Sequence, residues 1–99
     1  MVEPVAPDTL PALRREIDAV DAGLIDLLSK RFDIVQRVIV VKQRDGLPAN
    51  IPERVEDVVR AARALAGEAG LPQDLVETLW RSMISWTIDY EDSHLARSS

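Results

Sequence analysis

Apolar residues recur along the first part of the chain at alternating spacings of three and four: Leu10, Leu13, Ile17, Val20, Leu24, Leu27, Arg31, Ile34, Val38 and Val41. That rhythm is the seam of an α-helix packed along its whole length, with Arg31 as its one charged member. A second stripe, Val76, Leu79, Met83, Trp86 and Tyr90, has the same spacings. Beside it runs the line Trp80, Ile84, Thr87 and Glu91, which places a carboxylate on a largely apolar strip. Between the two lies a stretch of smaller residues, Val55, Val58, Val59, Ala62, Leu65 and Ala69, suited to close helix packing.

Proline and glycine set the boundaries. Prolines at 4, 7, 11, 48, 52 and 72 leave Pro-free stretches 12–47, 53–71 and 73–99. Asp45-Gly46-Leu47-Pro48 closes the first helix, Pro52-Glu53 opens the second, and Gly70 before Pro72 stops one helix and restarts the next. No segment alternates with period two, so no strand is expected. The pattern predicts an all-α chain of three helices with a long first helix, in a domain over residues 10–95. Residues 1–9 and 96–99 are expected as frayed tails. A helix over about 10–45 would be on the order of 50 Å long at ~1.5 Å per residue, against a radius of gyration of ~13 Å for a compact globule of this size. Two shorter helices do not cover such a seam, which predicts an intertwined homodimer whose long helices pack together.

Composition narrows the function. At 99 residues, 46% hydrophobic and 29% charged, the chain is a single globular domain. It has no cysteine and one histidine, His94, which leaves little material for thiol chemistry, a zinc site or a Ser/His/Asp triad, so no metal is expected. The net charge of -5 argues against a nucleic-acid partner. The first residues lack the basic and apolar regions of a secretory signal, and the longest apolar run, Val38 to Val41, is far too short for a membrane span. A cytoplasmic protein without membrane association is expected.

Arg31 and Lys42 carry the candidate chemistry. A guanidinium in a packed seam is costly unless an anion meets it. Lys42 lies about three turns further on and returns to nearly the same face, ~16 Å along the axis. The face between them, with Ile34, Val35 and Val38, is apolar. The two cations either close structural salt bridges or hold a small ligand with two carboxylates. Arg14 is too far along the helix from Arg31 to reach the same small ligand, so it could join such a site only across a dimer interface.

The segments Leu13-Arg14-Arg15-Glu16-Ile17-Asp18-Ala19-Val20-Asp21, Leu27-Leu28-Ser29-Lys30-Arg31, Lys42 and Pro52-Glu53-Arg54 together resemble the all-helical chorismate mutases over about residues 10–95. The Pro-Glu-Arg-Val segment and the later Ile84-Ser85-Trp86-Thr87-Ile88 are similar to the isochorismate pyruvate-lyase branch of that family. The resemblance implies three helices per chain, an intertwined homodimer with two equivalent sites, and no cofactor. It implies that Arg14 crosses into the partner's site, that Arg31 and Arg54 hold substrate carboxylates, and that Lys42 donates to the ether oxygen. Thr87 and Glu91 fall where the family places polar side chains near the substrate. Typical mutases carry acids at the positions of Ile51 and Val55, where they contact the ring hydroxyl, and glutamine at that of Glu91. To donate as glutamine does, Glu91 must be protonated. The expected activity is cofactor-free rearrangement of chorismate to prephenate. Release of pyruvate from isochorismate to give salicylate is the alternative within the family, and a non-catalytic helical dimerisation module is the alternative outside it.

Overall fold

The computed structural model describes residues 8–95, and the expected tails lie outside them apart from Asp8 and Thr9. Three helices follow in order: α1 (Leu10–Asp45), α2 (Pro52–Ala69) and α3 (Gln73–Leu95). No strand occurs among the described residues. The chain divides after Ile34 into two units.

The first unit is the leading part of α1. Thr9 caps it: its Oγ1 accepts from the Ala12 N–H at 3.3 Å, and its carbonyl accepts from the Leu13 N–H at 2.9 Å. This fills donors that a helix start leaves without intrahelical partners. The seam residues Leu10, Leu13, Ile17, Val20, Leu24 and Leu27 are all exposed in the single chain, as are their neighbours Ile25, Leu28 and Phe32.

The second unit holds the end of α1, the following turn, and α2 packed against α3. Both helix stops predicted from glycine are present. Gly46 (φ 69°) and Gly70 (φ 77°) occupy the left-handed region. Past each, an N–H reaches five residues back: Leu47 to the Lys42 carbonyl at 2.9 Å and Leu71 to the Ala66 carbonyl at 2.8 Å. These bonds satisfy carbonyls that the helix ends would leave open, in a conformation that a side chain at the glycine would strain.

Val59, Ala62 and Ala66 of α2 are buried, with Val76 and Ile84 of α3, and Trp80 packs on the Ala62–Ala66–Val76 cluster. The two alanines let the backbones approach. Full burial of a valine or isoleucine side chain contributes about 1.5–3 kcal/mol. The inward faces differ in detail from the sequence stripes. On α2, Ala66 is buried while Leu65 and Ala69 are exposed. On α3, Leu79 and Trp86 are exposed, and the inward line runs through Val76, Trp80, Ile84 and Glu91. The packed face of α3 thus takes Val76 from one sequence stripe and Trp80, Ile84 and Glu91 from the other.

Charged side chains fasten the outer edge of the same pair. Arg81 of α3 donates to both carboxylate oxygens of Glu56 on α2, each at 3.0 Å, and through Nε to Glu77 at 2.6 Å. Arg63 of α2 reaches the other Glu77 oxygen at 2.8 Å. The Arg81 hydrogen bonds hold both Glu56 and Glu77 below the ordinary carboxylate value, and the carboxylates raise Arg81. The group is solvent-exposed, so its contribution is modest and screened by salt. Because the folded carboxylates titrate below their unfolded value, their stabilisation is present above that value and is lost as pH falls through the depressed folded values. Arg81→Gln is therefore expected to lower the melting temperature near neutral pH in low salt, with the gap to the parent narrowing as pH is lowered toward ~2. Thermal melts across that range check this; a gap independent of pH would remove the ion-pair account.

Candidate functional site: a buried lysine–glutamate pair near an open groove

Glu91 is the buried charged residue of the described chain, at 5% exposure. It lies three residues beyond Ile88 and seven beyond Ile84, on one stripe of α3. Lys42 approaches from the last turns of α1, and its Nζ donates to Glu91 Oε1 at 2.7 Å. The side chains are 14% and 7% exposed, which distinguishes this ion pair from the surface pairs elsewhere. Lys42 Nζ also donates to the carbonyl of buried Ala49 at 2.8 Å. The turn after Gly46 thus supplies a backbone acceptor to the lysine whose own carbonyl helps close α1.

An ammonium has three donors, and two are engaged here. Burying both charges costs several kcal/mol each, offset by their mutual attraction, a short charge-assisted hydrogen bond and the Ala49 carbonyl. No buried side-chain polar atom among the described residues lacks a partner. The result is an ammonium of fixed position with one N–H still to be directed.

Gln36 and Tyr90 add a neighbouring link. Gln36 Nε2 donates to the Tyr90 hydroxyl at 3.0 Å, and the hydroxyl lies 3.3 Å from Gln36 Oε1. The Tyr90 ring stacks on Trp86 with centroids 5.2 Å apart and meets His94 at 4.3 Å.

An open groove of about 400 Å³ lies between the start of α2 and the middle of α3. Val55, Ile84 and Ile88 give it apolar walls, and Asn50, Ser85 and Asp89 are among its polar lining. It shares the Ile84–Ile88–Glu91 stripe with the ion pair, and Asn50 adjoins Ala49.

Of the residues singled out from sequence, the structure brings Lys42 and Glu91 into contact and puts Val55 in the groove. Ile51 is half-buried and opens α2, its carbonyl accepting from the Arg54 and Val55 N–H groups at 2.9 and 3.1 Å. Arg54 is exposed on the first turn of α2. The half-buried Thr87 hydroxyl donates to the Met83 carbonyl at 2.8 Å, one turn back along its own helix. Arg14, exposed, and Arg31, half-buried, belong to the first unit. Sequence reasoning missed the Ala49 carbonyl, Gln36 and the polar role of Tyr90. A tyrosine next to the one carboxylate on an apolar strip was the available signal for the last.

The chorismate mutase type II family model matches residues 13–92. The T-protein of Enterobacter agglomerans is 44% identical over 76% of this chain, which spans about a fifth (20%) of that protein's length. The 4-amino-4-deoxychorismate mutase of Streptomyces pristinaespiralis is 34% identical over 92% of this chain and 70% of its own length. The isochorismate pyruvate lyase of Pseudomonas aeruginosa is 32% identical over 80% of this chain and 77% of its own. No solved structure matches the chain. With most of α1, all of α2 and nearly all of α3 inside the matched region, the chain belongs to the chorismate mutase type II family.

Proposed function

We infer that the chain is a cofactor-free chorismate mutase converting chorismate to prephenate. One observation carries this beyond family membership: the buried Lys42 ammonium, fixed by Glu91 and Ala49 with one N–H left, on an α3 stripe shared with an open groove. The reaction is a pericyclic rearrangement, so the protein's task is to hold a flexible dianion in reactive geometry and to stabilise charge as it develops. Lys42 donates its remaining N–H to the ether oxygen as the C–O bond breaks. In a dry site that interaction is worth far more than in water. Arg31 and Arg54 grip the carboxylates through bidentate contacts. Thr87 contributes its hydroxyl near the substrate. Glu91 as a carboxylate fixes Lys42.

The site is completed in a homodimer. Among the described residues of the single chain, eighteen large apolar ones are exposed, half of them from Leu10 to Phe32, whereas the seven buried apolar ones include three alanines. A core that small favours burial of the α1 seam against a second copy, with Arg14 crossing into the partner's site. No helix among the described residues is long and apolar enough to cross a membrane. A cytoplasmic location accords with substrates of this class.

A second substrate has support from Ile51 and Val55. Both are half-buried and neither offers a hydrogen bond to a ring hydroxyl. The Streptomyces pristinaespiralis relative, matched over most of its own length, is named for 4-amino-4-deoxychorismate, and the Pseudomonas aeruginosa relative for isochorismate. Incubating the protein separately with chorismate, 4-amino-4-deoxychorismate and isochorismate, and measuring the rearranged product, pyruvate and salicylate, ranks the three. Preferred turnover of chorismate to prephenate supports the main reading; consumption of none leaves a helical dimerisation module.

Lys42→Ala is expected to lower kcat a hundredfold or more, about 3 kcal/mol, and Arg14→Ala to raise KM as well. Near-normal turnover in Lys42→Ala would sink the ether assignment. Glu91→Leu leaves a buried ammonium without its counter-charge and should destabilise the fold by about 3 kcal/mol, with Glu91→Gln costing less. Urea unfolding at fixed protein concentration measures the difference.

A further inference from the structure

The end of α1 is linked to α3 through long side chains, Gln36 to Tyr90 and Lys42 to Glu91. The lysine has four rotatable bonds, so its own ion pair defines the Nζ–Oε1 distance while leaving the helix that carries it free to roll. At ~100° per residue, Gln36 and Lys42 leave α1 about 120° apart and ~9 Å apart along its axis, while Tyr90 and Glu91 leave α3 about 100° apart. The two links therefore straddle the line between the helices, and rolling α1 shortens one while stretching the other.

The tyrosine end is rigid. Its ring is held between Trp86, stacked at 5.2 Å with planes 10° apart, and His94 at 4.3 Å. These are positions four residues apart on one face of α3. The His94 ring nitrogen Nδ1 is in turn 2.8 Å from the Tyr90 carbonyl oxygen. The hydroxyl sits against both ends of the Gln36 amide, at 3.0 and 3.3 Å, so a donor meets an acceptor in either amide orientation.

We propose that Gln36 and Tyr90 are positioning residues, a second strut that fixes the roll of α1 and so aims the free N–H of Lys42. This rests on the reading that Lys42 acts on the substrate. Neither residue touches the reacting atoms; both act through the ammonium.

The test uses the full chain labelled with nitrogen-15, with Tyr90→Phe and, keeping the aromatic column intact, Gln36→Met. The Lys42 ammonium signal, assigned by its loss in Lys42→Ala, should exchange protons with water about tenfold faster in either variant, because the ion pair opens more often. With chorismate as substrate, kcat should fall about tenfold and KM change less than about twofold. In a Lys42→Ala background, adding Tyr90→Phe should leave the residual kcat unaltered, since the strut then has nothing to aim. An unchanged ammonium signal in both variants, or an equal loss of kcat with and without Lys42, overturns the proposal. If Tyr90→Phe does not fold, Gln36→Met decides alone. Should the parent consume no substrate, the mutase reading falls, and the ammonium signal still decides whether the strut exists.

Discussion

A lysine ammonium withdrawn from water is the constraint around which the second unit is arranged. Left alone, Lys42 would cost several kcal/mol, and each neighbouring feature removes part of that cost. Glu91 brings the opposite charge at 2.7 Å, on a helix face otherwise given to packing against α2. Gly46, in a conformation other residues resist, turns the chain so that the Ala49 carbonyl arrives at 2.8 Å. Removing any one of these leaves a buried polar group unmatched. The arrangement costs stability that a hydrophobic pair of similar shape would not, which points to a use for the ammonium itself.

Much of the architecture was legible in the sequence because proline and glycine act locally. The six prolines bracket the helices, and Gly46 and Gly70 end two of them through backbone conformation, with no need for tertiary context. Glu91 was legible as a carboxylate on an apolar strip, but its pairing with Lys42 was not, because both side chains read as donors to a substrate oxygen rather than as partners of each other. The Ala49 carbonyl was not, since backbone acceptors carry no residue identity. Nor was the Gln36–Tyr90 bond, which joins positions 54 residues apart and needs the packed helices to exist. The α3 stripes were resolved only by structure. Leu79 and Trp86 repeat with the same period as Trp80, Ile84 and Glu91, and helical periodicity alone does not say which of two adjoining apolar lines faces α2.

The apolar residues divide into two populations with different work. Those of α2 and α3 that are buried are small or β-branched and hold two helices close. Those of the first unit are large, regularly spaced and exposed, which suits a surface made for another helix rather than for water. This separation gives the long helix two roles in sequence. Its leading seam is the surface through which the proposed dimer would form, and its last turns carry the ammonium.

The proposed rearrangement needs only positioning and one well-placed charge, which would leave substrate choice to the residues around that charge. Ile51 and Val55 open α2 with hydrocarbon, where an acid would reward a ring hydroxyl, and Val55 continues the apolar walls made by Ile84 and Ile88. Discrimination between a hydroxyl and another substituent of similar size comes from buried polar groups left unpaired by the wrong ligand, and neither Ile51 nor Val55 supplies one. The polar lining, Asn50, Glu56, Arg81, Ser85 and Asp89, lies on the loop before α2, on α2 itself and along α3. On the proposed reading, substrate choice in this chain rests with a few side chains at the start of α2 and along α3, while the Lys42–Glu91 pair supplies the charge.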